Sequence, residues 1–574
     1  MSKRRGTARM IAVARGDEPA DLLLTGGKVF VPGTREWIET DLAIGDGVVV
    51  GWGSRDAIEV VDVEGALLTP GFVDPHMHLE STKLWIDEFV RSVLPHGTTA
   101  VAADPHEVAN VFGVPGVLAL ARVAEDLPFT FGICASSCVP ASPFESPGAE
   151  LDHVDIAELL ENPGVIGIAE VMNFPGVIAG DVEVLAKIAE AGPRRVDGHA
   201  PGVSGRALDA YLTAGIESDH ECTELEEAEE KRRKGMWIFV REGSASRNLA
   251  ALIPTVLRHG TERVALCTDD REPDTLVHDG HINDCVRLAV KAGVPVEDAL
   301  VLATANPAEY HHFDHLGWLA PGYQADVLCF EDFSNFEPSQ VWQAGRLVAL
   351  GGEVVPGVVP TTTAPEWMLH SVHLDNPPGA KAYALAPAVS GRAHVIGVSS
   401  RSLSSRDLVL DVNDPTQDVA RIAVVERHRR TGRVGLGYVS GFGLRRGAMA
   451  STVAHDAHNC MAVGARDDSG PVDMAVGVAR LAEIGGGQVA VLDGRVIAEV
   501  PLPIGGLMST ASARDVAQQV GALTDAVSRH LGVTIEAPFM QLSFLGLSVI
   551  PELRITDRGL VDVTRFALTD LTEV

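Results

Sequence analysis

Between about residues 71 and 317, short apolar runs alternate with longer amphipathic stretches, and this alternation constrains the fold more than any other feature. After a first strand ending near Val73, candidate strands follow at 98–102, 129–133, 165–169, 195–197, 216–218, 237–240 and 264–267. Helix-like stretches lie between them, for example 182–191, 205–214 and 224–234. Strand–helix alternation over this length predicts an α/β fold in which a parallel sheet closes into a TIM-like (β/α)8 barrel.

The segments on either side of the barrel have a different texture. Residues 20–70 and 318–360 contain apolar runs of three or four residues separated by Gly and Pro-Gly turns, which predict hairpins. We expect these two pieces to form one small split β-sandwich domain around the barrel, 71–317. Residues 1–19 are expected to be a polar N-terminal segment, and residues 370–574 an additional C-terminal α/β domain.

Charge and composition exclude several kinds of partner. The 574 residues include 78 acidic and 46 basic ones, for a net charge of −32, which argues against binding nucleic acid or an anionic membrane. No run approaches the ~18 apolar residues that a membrane helix needs. Seven scattered cysteines do not form a disulfide framework, and the N-terminus lacks the apolar core of a signal peptide. We therefore expect a soluble, cytoplasmic protein with a small-molecule substrate.

Metal-binding side chains follow seven of the eight predicted strands, at the barrel edge where active sites form. His76 and His78 come first, and two residues of spacing places both imidazoles on one face of an extended chain. A single strand-end histidine is more often structural, and a single acid is more often a helix cap. The set as a whole predicts a metal site. Its other members are Asp104, His106, Glu107, Glu170, His199, His220, Glu221, Glu242, Asp269 and Asp270.

The segment 70–78, PGFVDPHMH, resembles the PGfvDxHxH opening of the amidohydrolase superfamily. In that superfamily a histidine pair, a bridging carboxylate, two later histidines and a final aspartate hold one or two divalent metals. The resemblance therefore implies a metal-dependent hydrolase barrel. Glu170 stands where many two-metal relatives have a carboxylated lysine. The implied ligands are His76, His78, Glu170, His199, His220 and Asp269.

Further segments resemble the adenine deaminase family, over roughly residues 20–574. Such enzymes hydrolyse adenine to hypoxanthine and ammonia in purine salvage. The resemblance implies two divalent ions, Mn or Fe with Zn as an alternative, and a homo-oligomer. The segments are 169–173, 196–201, 218–221, 241–244, 268–270, 280–282, 450–459, 502–509 and 549–553.

Deamination of adenine requires activated water and a route for protons, and these needs suggest roles. We expect water activated by a metal pair to attack C6. Asp269 is expected to take the proton and pass it to the departing amine, with His220 also counted among the catalytic residues. Glu242 is a candidate partner for a ring nitrogen; it could instead pair with Arg241 or cap the next helix. Asp270 competes with Asp269 for the ligand role.

Other polar residues admit more than one interpretation. Asp104 and His106 are interpreted as an auxiliary metal site or substrate loop, or as a capped loop. His278 and His281 are candidates to line a purine pocket. The cluster at 455–459, HDAHN, is interpreted as a domain interface or pocket wall. The alternative functions are a different amidohydrolase acting on another base or cyclic amide, and an inactive scaffold relative.

Overall fold

Eight parallel strands form the centre of the computed structural model, which describes residues 6–244, 246–369, 371–385, 391–400, 402 and 404–572. The strands follow the chain in order, five in one sheet and three in another. Backbone bonds join the two sheets at both seams: Glu217 N to Val196 O at 3.0 Å, and Asp269 N to His76 O at 3.0 Å. The predicted barrel is confirmed. Its strands are Phe72–Met77, Thr98–Ala103, Thr130–Ala135, Val165–Val171, Arg195–Gly198, Ser218–Asp219, Trp237–Arg241 and Val264–Cys267.

Helices cover the outside of this barrel. Ile86–Val93 shows why: its buried residues Ile86, Phe89, Val90 and Val93 recur at the spacing of one helical face, and the opposite face is polar. The other helices of this region are His106–Phe112, Val114–Ala124, His153–Glu161, Phe174–Ala179, Val182–Ala189, Gly205–Thr213, Leu225–Arg233, Leu249–His259, Pro273–His278, Ile282–Lys291, Val296–Ala303 and Ala305–Tyr310, with 3-10 turns at Glu80–Thr82 and Leu94–His96.

Two sheets form the split β-sandwich, and one of them combines strands from both flanks of the barrel. Leu67–Pro70 pairs antiparallel with Val327–Phe330, which joins the two flanks within one sheet. The sheets share a buried core that includes Leu24, Leu68 and Trp342. One sheet contains, in order, Val48–Trp52, Leu42–Gly45, Ala20–Thr25 and Ala57–Asp62; the other contains Glu353–Val354, Arg346–Leu350, Gln340–Gln343, Val327–Phe330, Leu67–Pro70, Lys28–Val31 and Glu36–Glu39.

The C-terminal region is built on an eight-stranded sheet against which the helix Gly470–Ile484 packs. Its strands, in sheet order, are Arg406–Asp411, Arg392–Gly397, Val434–Ser440, Ala420–Val425, Cys460–Gly464, Ala448–Ser451, Gly487–Leu492 and Arg495–Pro501. The remaining elements are the helices Ala513–Ala526 and Pro538–Phe544, a π-helical turn Val527–Leu531, 3-10 turns Glu366–Met368 and Ala380–Tyr383, and the strands Leu553–Thr556, Gly559–Asp562 and Ala567–Thr569.

This C-terminal region lies against the loops that follow the third barrel strand. Ser142 Oγ and Ser548 Oγ are 2.6 Å apart, and Ser146 Oγ donates to Asp557 Oδ2 at 2.8 Å. Asn459 Nδ2 also donates to the carbonyl of Ser146, at 3.0 Å. Since loops at the carboxyl ends of barrel strands form the active face, the region contacts the barrel where chemistry is expected.

The N-terminal segment contains a helix that its polar sequence did not predict. Ala8–Arg15 is capped by Thr7, whose Oγ1 accepts the N–H of Met10 at 3.1 Å, and it buries Met10 and Val13. The domain limits given above stay predictions. Some of the residues within them lie outside the described residues, namely 1–5, 245, 370, 386–390, 401, 403 and 573–574. None of the helices in the described part of the chain has the length and apolar character needed to cross a membrane.

Candidate active site

Six predicted metal ligands converge at the carboxyl ends of the barrel strands. His76 belongs to the first strand and His78 follows it, and Glu170 lies near the end of the fourth strand. Such convergence is what a closed parallel barrel imposes on residues at its strand ends. All six side chains are buried: His76, His78, Glu170, His199, His220 and Asp269.

The carboxylates of Glu170 and Asp269 lie close to the histidines of this cluster. Asp269 Oδ1 lies 3.1 Å from His78 Nε2 and 3.5 Å from His76 Nε2. Glu170 Oε1 lies 3.6 Å from His78 Nε2, whereas its Oε2 lies 2.5 Å from His199 Nδ1 and 3.3 Å from His220 Nε2. The two oxygens of Glu170 therefore face different sets of histidines.

The cluster has the spacing and chemistry of a metal site. Metal–ligand bonds of about 2.1 Å place neighbouring ligand atoms roughly 3.0–3.5 Å apart, close to most of these separations. His76 Nε2 is buried and has no hydrogen-bond partner within the described part of the chain. A buried imidazole nitrogen left unpaired at this position has a lone pair for an ion. Imidazole and carboxylate ligands suit Zn, Fe or Mn.

Hydrogen bonds behind the ligands fix their orientation. His78 Nδ1 lies 3.0 Å from the carbonyl oxygen of Asp104, so the ring donates there and keeps the Nε2 lone pair for the site. The Tyr211 hydroxyl accepts the N–H of His199 at 2.9 Å and donates to the carbonyl of Val171 at 2.9 Å. Tyr211 thereby joins the two strand ends that carry His199 and Glu170.

The buried aspartate of the DPHMH segment joins the first strand to the last. Asp74 Oδ1 accepts the N–H of His76 at 3.2 Å and that of Thr268 at 3.3 Å. Burial raises the pKa of Asp74 to about 7. This carboxyl group therefore holds His76 and the residue before Asp269 at the same seam of the barrel.

Arg241 keeps the Asp269 carboxylate ionised. Its Nη1 donates to Asp269 Oδ2 at 2.6 Å and also to Glu221 Oε1, while Nη2 donates to Glu221 Oε2 at 3.1 Å. Burial alone would raise the pKa of Asp269. The Arg241 charge instead holds that pKa well below its usual range. Asp269 is therefore ionised and has Oδ1 free for the metal site.

The predicted auxiliary pair lies beside the ligand cluster. His106 Nδ1 is 3.5 Å from Asp104 Oδ2 and 3.7 Å from Glu170 Oε1. Ser136 Oγ donates to Asp104 Oδ1 at 2.9 Å. Ligand-capable atoms of His78, Asp104, His106 and Glu170 all lie within 4.8 Å of one another. Asp104 and His106 are thus part of the site's environment rather than of a distant loop.

Three other predicted residues lie elsewhere. The Glu242 carboxylate accepts the N–H of Leu249 at 3.3 Å, at the start of the helix Leu249–His259, and Glu242 does not line the cavity above the metal ligands. This contact agrees with the helix-capping alternative stated above, and the ring-nitrogen role of Glu242 stays a prediction. His281 lies inside the barrel wall, with Nδ1 2.9 Å from Thr98 Oγ1. His278 ends the helix Pro273–His278, and neither histidine lines that cavity.

A small cavity above the ligands is lined by both the barrel and the C-terminal region. Asp269 and Asp270 both line it, together with Phe544, Leu547 and Ile550. A larger cavity of about 880 Å³ adjoins it and shares Glu221, Arg241 and Ile550 among its lining residues. No strand-end rule could find Phe544 or Leu547, since they come from the helix Pro538–Phe544 and the loop after it. The segment 549–553, which supported the family resemblance, was the nearest sequence signal.

Comparison with known proteins agrees with this arrangement. Residues 67–348 match the model of the amidohydrolase family, and residues 399–567 match that of the adenine deaminase C-terminal domain. The chain is 41% identical over 572 residues to adenine deaminase 2 of Carboxydothermus hydrogenoformans, covering 98% of this chain and 99% of that protein. It is 43% identical over 575 residues to adenine deaminase of Desulfatibacillum aliphaticivorans, with coverage of 98% and 99%.

A third relative, adenine deaminase of Methanothrix thermoacetophila, is 44% identical over 572 residues, with 97% of this chain and 98% of the relative covered. The chain belongs to the adenine deaminase family. The similarity covers the barrel and the C-terminal region alike. The amidohydrolase match implies a divalent metal, and the buried cluster around Glu170 fits one.

Proposed function

We propose that this chain hydrolyses adenine to hypoxanthine and ammonia. The observation that carries the proposal is the cluster around Glu170, whose two carboxylate oxygens face different histidines. This cluster lies beneath a cavity that the C-terminal region completes. Near full-length similarity to proteins named adenine deaminase supports the choice of adenine. We further propose that the protein acts in the cytoplasm, in purine salvage, as a homo-oligomer, and that it binds neither nucleic acid nor membranes.

Two divalent ions are part of this proposal, Mn or Fe with Zn as the alternative. His76, His78, Glu170 and Asp269 would hold one ion. Glu170, His199 and His220 would hold the other, since Glu170 faces both sets of histidines. When bound, such ions lower the pKa of a water molecule to about 7.

In our proposal Asp269 transfers a proton, and Glu221 contacts the purine ring. Asp269, kept ionised by Arg241, accepts a proton from the attacking water and donates it to the amine nitrogen as the C6–N bond breaks. Water thus supplies the oxygen of hypoxanthine and the additional hydrogen atoms of ammonia and the ring. Glu221 lines both cavities, and its Oε1 lies 3.6 Å from His220 Nε2. We propose that Glu221, rather than Glu242, contacts a ring nitrogen of adenine. We propose that His220 acts as a metal ligand.

The purine ring would bind against the apolar wall of the small cavity. Phe544, Leu547 and Ile550 supply that wall. Gln541 lies one helical turn before Phe544, is buried, and lines the adjoining cavity. Its amide offers a donor and an acceptor side by side, which matches the alternating acceptor and donor groups on an adenine edge. We propose that Gln541 recognises this edge.

An ammonia-release assay on a panel of substrates tests the proposal. Protein loaded separately with Mn, Fe or Zn is given adenine, adenosine, guanine, cytosine or hydantoin at equal concentration. We expect ammonia from adenine above all other substrates. Turnover of another compound with none of adenine would favour a different amidohydrolase. Purified protein that retains no metal under any loading would favour the inactive scaffold.

A further inference from the structure

A second cluster of metal-competent side chains lies where the barrel meets the C-terminal region. It comprises Glu107, from the helix His106–Phe112, and His455 and Asp456, from the loop before the strand Cys460–Gly464. Glu107 Oε1 is 3.5 Å from His455 Nδ1, and Asp456 Oδ1 is 3.7 Å from that same nitrogen. His106 Nε2 lies 3.6 Å from Asp456 Oδ1. The barrel and the C-terminal region thus each contribute to one interface cluster.

Both carboxylates of this second cluster are buried, and three of their four oxygens have no hydrogen-bond partner among the described residues. Glu107 is 1% exposed, and neither of its carboxylate oxygens has a hydrogen-bond partner among the residues that the structure describes. Asp456 is 1% exposed, and its Oδ2 also has none. Burial of an unpaired carboxylate is costly, so such groups are neutralised or hold a cation. The nitrogen–oxygen separations of 3.5–3.7 Å are too long for hydrogen bonds between these histidines and acids.

His458 lies beside this cluster, but its protonation excludes it as a ligand. The backbone N–H of Ala454 donates to His458 Nδ1 at 3.1 Å, so that nitrogen is unprotonated and the neutral ring carries its proton on Nε2. His458 Nε2 lies 3.6 Å from Glu107 Oε2. The ring therefore has no lone pair directed toward Glu107. This excludes His458 from the ligand set.

His455 is oriented by an aromatic contact. Its ring stacks on Phe544, with centroids 4.5 Å apart and planes at 9°. The stacking fixes the plane of the imidazole and leaves Nδ1 directed toward Glu107 and Asp456. A rigidly held imidazole between two unpaired carboxylates is a pre-organised ligand arrangement.

We propose that Glu107, His455 and Asp456, with His106 Nε2 as a fourth ligand, bind a further divalent cation separate from the ions held around Glu170. Ligand atoms that share one ion lie roughly 3.0–3.5 Å apart, so small shifts of these side chains would complete the site. Two imidazoles and two carboxylates suit Mn, Fe or Zn. The ion would join the barrel to the C-terminal region, beside the wall against which the substrate is proposed to bind.

Metal counting on the full chain tests this inference. Chelated protein is reloaded with Mn, dialysed, and analysed by inductively coupled plasma mass spectrometry. We expect three equivalents per chain for the parent, and two for both Glu107→Gln and His455→Gln. Glu145→Gln is the matched control: Glu145 is also buried near this interface and accepts the N–H of Ser142 at 3.2 Å, outside the cluster. It should keep three equivalents.

Several results would overturn the inference. They are two equivalents in the parent, three in both cluster variants, or loss of more than one equivalent from either variant. If the variants do not fold, anomalous diffraction from Mn-loaded parent crystals decides: a peak among Glu107, His455 and Asp456 is expected, and its absence contradicts the site. The metal readouts do not depend on adenine turnover, so failure of the proposed deamination would be seen separately.

Discussion

Replacement of Lys231 by Met should destabilise the barrel severely. Lys231 Nζ donates to Asp219 Oδ2 at 2.9 Å, to Glu227 Oε1 at 2.6 Å and to the carbonyl of Ala200 at 2.7 Å. The side chains of Lys231 and Asp219 are both 0% exposed. Methionine keeps the length and helix propensity of the residue but removes the charge. The Asp219 carboxylate would then be buried without its cation.

The size of the effect follows from that burial. Removing one partner of a buried ion pair costs about 3–5 kcal/mol, roughly a few hundred- to a few thousand-fold in the folding equilibrium. Burial by itself raises the pKa of Asp219, and the Lys231 charge lowers it to below its usual range. A lowered folded-state pKa stabilises the protein above the unfolded value, about 3.9, and this contribution is lost as the pH falls. The difference between variant and parent should therefore be largest near neutral pH and narrow below about pH 4.

Lys234→Met is the matched control on the same helical surface. Lys234 Nζ also contacts two acids, Asp209 at 2.8 Å and Glu230 at 2.9 Å, but its side chain is 27% exposed and that of Asp209 is 59% exposed. A surface pair of this kind is worth about 0–1 kcal/mol. Urea denaturation followed by circular dichroism, at equal metal loading, measures the loss of unfolding free energy in each variant relative to the parent. Equal shifts of the midpoint for the two variants, or no shift for Lys231→Met, would refute the reasoning.

Four further predictions concern the site itself. Glu170→Gln should weaken binding of both ions by more than about 100-fold, which metal analysis after dialysis measures, because this carboxylate faces ligands on both sides. Asp269→Asn should abolish ammonia release whereas Asp270→Asn should retain much of it; full activity of the former would exclude our assignment. Gln541→Leu should raise KM for adenine about tenfold with little change in kcat, since it removes a contact made equally in ground and transition states. Tyr211→Phe should lower stability by about 1–3 kcal/mol in urea denaturation, because the His199 N–H loses its acceptor.

The barrel was predictable because its strands are buried on both faces and read as continuous apolar runs. The strand predicted at 165–169 is Val165–Val171, and the one at 237–240 is Trp237–Arg241. Convergence of the strand-end ligands then follows from closure of the sheet. The short helix Ala8–Arg15 was not predictable from its weak apolar pattern, since it is held by packing of Met10 and Val13.

The orientation of individual acids could not be predicted in the same way. Glu221 and Glu242 each follow a barrel strand, but only Glu221 turns inward to pair with Arg241, while Glu242 caps a helix. Whether an acid faces the barrel axis or the next helix depends on the loop conformation, which the strand pattern does not encode. Contacts across several hundred residues, such as that of His455 with Glu107, depend on how the C-terminal region lies on the barrel.

The wall that the C-terminal region adds to the cavity is synthesised after all the metal ligands around Glu170. The last metal ligand, Asp269, leaves the ribosome well before Phe544 and Ile550, which close the site. At about 5–20 residues per second, the intervening stretch of roughly 280 residues takes on the order of half a minute to synthesise. A nascent barrel that folds as a unit can therefore acquire its ions while its face is still open. The ions available during translation would then be the first to reach the site, before any substrate can be enclosed.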